Sequence, residues 1–195
     1  LTIPANVSTI GQGAFVSDNR VYSTYSNAGH FGMWHAGKYE NSQCGGGTIK
    51  EVKFEAGAKL QSLPAYAFVG QEELRTIDWE NTQIYSIDRA AFAFCKSLKI
   101  PQLPKNLNTI KEYAFENCYS FSSIDIPNSI ESIGEQAFYE CYSLTSIDIP
   151  NSVESIGRYV FQACSSLSEI TIPSGVTSIE TSAFSNCTSL SKITC

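Results

Sequence analysis

Seven cysteines, two histidines and a scatter of aspartates are the residues of this 195-residue chain whose types could do chemistry. His30, His35 and Cys44 lie near one another in sequence, as metal ligands often do. Their spacing fits no usual zinc pattern, however, and a fourth ligand is missing, so no metal is expected there. Serine is abundant, but both histidines fall in one segment and no G-x-S-x-G motif occurs. A hydroxyl without a base beside it is a weak nucleophile. Gly11-Gln12-Gly13 lacks the continuation a phosphate loop requires. The reading is of a non-enzymatic chain with no cofactor.

The cysteines invite a disulfide framework, and their spacing argues otherwise. Cys95, Cys118, Cys141, Cys164 and Cys187 are each 23 residues apart. Residues that recur once per coil share one orientation, and a free thiol is a small, well-buried hydrophobe. These five are therefore expected as a reduced core column. Neighbouring coils lie roughly 5 Å apart, so distance alone does not forbid a bridge. Cys44 and Cys195 stand outside the column, with Cys195 in the slot of a strand isoleucine.

Other columns keep the same 23-residue step: Phe92, Phe115, Phe138, Phe161 and Phe184, and also Ile87, Ile110, Ile133, Ile156 and Ile179. Internal repeats of this length mean stacked units, none of which buries its apolar face alone. Within a unit, Leu144, Ile147 and Ile149 alternate with polar residues, the period-2 signature of a half-buried strand. Pro150 ends that strand because it cannot donate to a ladder. Val153 and Ile156 follow, and Gly157 then introduces what reads as a short helix. Ile133, Ala137 and Cys141, at i, i+4 and i+8, fall on one side of such a helix. Degenerate earlier units carry Phe15, Phe68 and Phe92, which makes seven Phe-bearing turns. Pro101 takes the slot of a buried strand isoleucine, so that strand should be short or distorted.

The stretch SIDIPNSVESIGRYVFQACSSLSEITIPSGVTSIETSAFSNCTSL resembles the BspA-like, or Treponema pallidum type, leucine-rich repeats. The resemblance covers the chain apart from residues 17–47. It implies an α/β solenoid: a right-handed superhelix of about seven 23-residue coils, with a parallel β-sheet on the concave side. Short helices or 3-10 turns would line the convex side. The resemblance further implies an extracellular or cell-surface protein, and its members include adhesins for host matrix proteins such as fibronectin and fibrinogen. The expected partner is thus a host matrix or surface protein, with a glycan as the alternative, or a spacer role projecting another domain. A repeat identifies the scaffold, while ligand choice lies in exposed positions. The chain opens and closes inside the pattern, at Leu1 and Cys195, and reads as one repeat domain from a longer protein.

Two places could carry specificity. Phe15 to Ile49 takes 34 residues where Phe115 to Phe121 takes six, an insertion of about 28. Residues 17–47 hold Tyr22, Tyr25, Phe31, Met33, Trp34 and Tyr39, and end in Gly45-Gly46-Gly47. Aromatics among Gly, Ser and Asn are a binding-surface composition. The plainer alternative is that the segment covers an open flank of the solenoid. The second place is the exposed strand column Thr2, Lys53, Asp78, Gln102, Asp125, Asp148, Thr171, Thr194, beside Glu51, Thr76, Ile100, Ser123, Ser146, Glu169 and Lys192. It reads first as a solvated face. Yet Asp125 and Asp148 are expected on adjacent coils with Glu169 diagonal to them, and stacked carboxylates repel unless a cation or basic partner meets them.

A formal net charge of −6 with 13 scattered basic residues excludes a phosphate-neutralising surface, so no nucleic acid is expected. No apolar run approaches the roughly 18 residues of a membrane span.

Overall fold

The computed structural model describes residues 1–15, 48–100 and 102–195. The aromatic candidates Tyr22, Tyr25, Phe31, Trp34 and Tyr39, together with His30, His35, Cys44 and Pro101, lie outside the described residues.

The chain winds as a parallel β-solenoid with two lines of short strands. The alternating segments form one line, the strand face: β1 (Thr2–Ile3), β2 (Glu51–Phe54), β4 (Thr76–Ile77), β7 (Ser123–Asp125), β9 (Ser146–Asp148), β11 (Glu169–Thr171) and β13 (Lys192–Thr194). A second line, on one flank, consists of dipeptides that the alternation does not announce. These are β3 (Ser62–Leu63), β5 (Ser86–Ile87), β6 (Thr109–Ile110), β8 (Ser132–Ile133), β10 (Ser155–Ile156) and β12 (Ser178–Ile179). Pairing is parallel throughout, as in Ile124 opposite Ile147 and Ile87 opposite Ile110. Between β4 and β7 the strand face is, among the described residues, one bridge from Gln102 to Asp125.

Each inward slot repeats a shape, so like side chains stack. Seven phenylalanines from Phe15 to Phe184 form a continuous ring column with centroids 5.1–5.6 Å apart and planes within 13°. Leucines and isoleucines of the strand lines close the core around them. Beside the column Trp79 stacks on Phe54 at 6.0 Å and meets Phe92 edge-on at 6.2 Å.

The short helices that were one alternative for the convex side do not occur among the described residues. Overlapping turns stand in their place. In one coil Ala91 donates to Asp88 O, Ala93 to Ala90 O and Cys95 to Phe92 O, while Ala90, Phe92 and Phe94 donate to Glu112 O, Ala114 O and Glu116 O of the next coil. A helix would spend every donor on its own segment. Here half the amides tie coil to coil. Two residues per coil at positive φ permit this alternation: Ala90 and Phe94, Tyr113 and Asn117, Gln136 and Glu140, Tyr159 and Ala163, Ser182 and Asn186. Ala137 and Cys141 are fully buried and Ile133 nearly so, as helical spacing suggests, but turns put them there.

The high Ser and Thr content has a local cause. Thr145 Oγ1 donates to Ser122 O at 2.9 Å, Ser168 Oγ to Thr145 O at 3.3 Å and Ser191 Oγ to Ser168 O at 3.2 Å. Hydroxyls one coil apart thus satisfy carbonyls on the edges of the stack.

Candidate functional site

The strand face is where exposed side chains stand in fixed register. Thr2 lies opposite Lys53, Gln102 opposite Asp125, Asp125 opposite Asp148, Asp148 opposite Thr171, and Thr171 opposite Thr194. In the neighbouring column Glu51 faces Thr76, Ser123 faces Ser146, and Glu169 faces Lys192, while Ile100, expected exposed there, is instead buried in the core, as an apolar side chain favours. Alternation produces this face: Ile124, Ile147 and Ile170 point inward and leave Ser123, Asp125, Ser146, Asp148, Glu169 and Thr171 exposed.

The acids on this face are not equivalent. Glu169 is diagonal to Asp148 as expected, but Lys192 Nζ sits 3.1 Å from its carboxylate. Glu51 is likewise met by Lys53 at 3.3 Å. Asp78 accepts the Glu80 amide at 3.0 Å, a bond that holds the turn after β4. Asp125 and Asp148 remain as the adjacent pair of carboxylates, with Gln102 opposite Asp125 and Thr171 opposite Asp148 on the face. The structure therefore separates the four proposed acids into one locally bonded, one ion-paired, and two stacked.

The thiol column has no such reach. Cys95, Cys118, Cys141, Cys164 and Cys187 are free and buried, and Cys195 is free and exposed. Burial pushes the thiols of Cys118, Cys141 and Cys164 well above their ordinary range and that of Cys187 to about 11. A thiol held neutral is neither nucleophile nor metal ligand. Each instead donates to a phenylalanine carbonyl, as Cys118 Sγ does to Phe92 O at 3.2 Å. Among the described residues no group of three His, Cys, Asp or Glu side chains is placed to hold a metal.

Two features escaped sequence reasoning. Tyr119 and Tyr142, one coil apart, stack at 5.1 Å on the convex side, with Tyr142 exposed. The Tyr119 hydroxyl donates to Asn117 Oδ1 at 2.6 Å, and burial beside Glu140 and Glu116 raises its pKa far above the usual phenol range. Their 23-residue separation was the available signal. The other feature is a recess lined by Gly57, Lys59 and Gln61 from one coil and by Glu80 and Gln83 from the next. It brings no nucleophile and base together.

Parallel coils, an inward Leu/Ile/Phe/Cys lattice and an exposed strand face define a leucine-rich-repeat solenoid. Residues 41–142 and 85–195 match the BspA type leucine rich repeat region, in six copies. The chain belongs to that family. Its structure is similar to a leucine-rich repeat protein from Bacteroides ovatus, at 29% identity and a TM-score of 0.69, over 74% of this chain and 37% of that one. It is also similar to the T. pallidum leucine rich repeat protein, at 26% identity and a TM-score of 0.54, over 75% of this chain and 56% of that one. The chain thus spans between about a third and somewhat over half of the relatives' length. No curated protein matches it. No helix among the described residues is long and apolar enough to cross a membrane.

Proposed function

We propose that this segment is a non-enzymatic, cell-surface binding module that recognises a basic patch on a host matrix protein through its strand face. The observation that supports this is the stacked pair Asp125 and Asp148, exposed and in register, on a face where Glu51 and Glu169 are each met by a lysine. Parallel register holds the two carboxylates one strand spacing apart, about 4.8 Å between backbones. A lysine or arginine laid across them relieves their repulsion and gains two charge-assisted contacts. Such binding weakens with added salt because both partners are exposed. Family membership supports the protein-binding role, and the repeat resemblance supports the surface setting.

Immobilised fibronectin is the probe. Wild type, Asp125→Asn/Asp148→Asn, and a variant lacking residues 17–47 with folding checked by circular dichroism are compared at two salt concentrations. Binding that falls with salt and is lost in the double variant supports the strand face. Loss only on removal of residues 17–47 moves the site to the insertion. Salt-independent binding, or no binding to fibronectin, rejects the proposal.

A second reading, glycan binding, is favoured by the exposed ring of Tyr142 stacked on Tyr119. Aromatic faces receive the apolar face of a sugar ring. A glycan array with wild type and Tyr142→Ala decides it, and a blank array ends the idea.

A further inference from the structure

Gln71 stands in the thiol slot of the coil of Phe68, three residues after the phenylalanine, and is buried. In the five later coils the residue there is cysteine, and its Sγ donates to the phenylalanine carbonyl one coil back: Cys95 to Phe68 O at 3.1 Å, Cys141 to Phe115 O at 3.3 Å, Cys187 to Phe161 O at 3.1 Å. Gln71 Nε2 makes the equivalent bond to Phe15 O. It also does something no thiol does. Its Oε1 accepts the Ile49 amide at 3.3 Å.

That amide has an ordinary partner elsewhere in the repeat. Leu74, Leu98, Leu144, Leu167 and Leu190 occupy the slot of Ile49 in their own coils. Each donates to the carbonyl of the thiol-slot residue three positions earlier, at 3.0 or 3.1 Å. For Ile49 the corresponding residue is Asp18, which the insertion places 31 residues away in sequence. In this coil the part-buried amide is met instead by a side chain of the next coil.

We propose that Gln71 is the clasp that lets the solenoid carry an insertion here, holding Phe15 before it and Ile49 after it with a single carboxamide. Only a carboxamide of this length donates to one foot and accepts from the other. Cysteine keeps the bond to Phe15 and abandons Ile49; glutamate keeps Ile49 and sets an oxygen against the Phe15 carbonyl. A part-buried N–H left without a partner is costly, which makes the substitution readable. This holds whether or not the insertion touches a ligand.

Amide hydrogen exchange on the full chain tests it, comparing wild type, Gln71→Cys and Gln71→Glu. In Gln71→Cys the Ile49 amide exchanges about tenfold faster while those of Leu98 and Leu144 keep their wild-type rates. In Gln71→Glu the Ile49 amide stays protected, and the melting temperature falls by a few degrees as the Phe15 contact is lost. Unchanged Ile49 exchange in Gln71→Cys overturns the proposal. Equal acceleration of Ile49 and the two control amides also overturns it, because it marks a general loss of stability.

Discussion

Phe115→Ala tests whether the coils hold one another through the ring column. The side chain is fully buried. Its ring lies 5.4 Å from Phe92 and 5.5 Å from Phe138, with Phe121 edge-on at 6.3 Å. Truncating a buried phenylalanine costs about 3–5 kcal/mol in transfer and cavity terms. Each lost aromatic pair adds to area burial by about 0.5–1.5 kcal/mol, which sets this position at the top of that range or above it. Phe184 is the internal control. It is part-exposed and stacks on Phe161 alone among the described rings, at 5.6 Å, so the same substitution there should cost about 1–3 kcal/mol. Urea unfolding followed by circular dichroism measures both. Nearest-neighbour stacking also predicts a change of shape, because a break in mid-column uncouples the coils on either side and broadens the transition. Equal costs at Phe115 and Phe184, or a Phe115→Ala cost below about 2 kcal/mol, would refute the reasoning.

The remaining expectations concern backbone and thiols. A Cβ on Gly134 would stand 2.5 Å from the Glu112 amide nitrogen, and one on Gly175 would run into the Asn151 carbonyl. Alanine at either should cost about 2 kcal/mol or more by thermal melting, whereas Gly157→Ala, in ordinary contact, should cost less than 1 kcal/mol, about the scale of a tolerated substitution. Ala163 has φ 61°, so Ala163→Gly relieves left-handed strain and should leave stability unchanged or raised. Ala93, buried at ordinary φ, should lose about 1 kcal/mol on the same change. Burial raises the thiols of Cys118, Cys141 and Cys164 above the ordinary value of 9.0 and that of Cys187 to about 11, so the unfolded chain loses these protons first. Stability is then fully present below pH 9 and falls as pH rises through 9 to 11, and a Cys187→Ala chain should show a shallower alkaline loss in melts across that window.

What could be read from the sequence follows from which signals the repeat amplifies. The Phe and Cys columns were legible because one coil's choice recurs in the next, and the register of Asp125 over Asp148 followed from the buried isoleucines beside them. The convex segments read equally as helices or turns because Ile133, Ala137 and Cys141 keep a spacing that suits a helix. Positive φ falls there mostly on Tyr, Ala, Asn, Gln and Ser, which carry no glycine signal. Only Gly13 and Gly70 occupy those two slots with the residue that announces them. The lysines that neutralise Glu51 and Glu169 come from ordinary sequence positions and matter only once pairing sets their distances. Gln71 was invisible for a different reason: it departs from a column, and only the hydrogen bonds show why.

Hydrogen–deuterium exchange on the chain alone and with fibronectin bound tests the central functional claim most directly. The account predicts added protection in peptides covering residues 123–125 and 146–148, absent in Asp125→Asn/Asp148→Asn. Protection confined to residues 17–47, or to the convex turns around Tyr142, would contradict it.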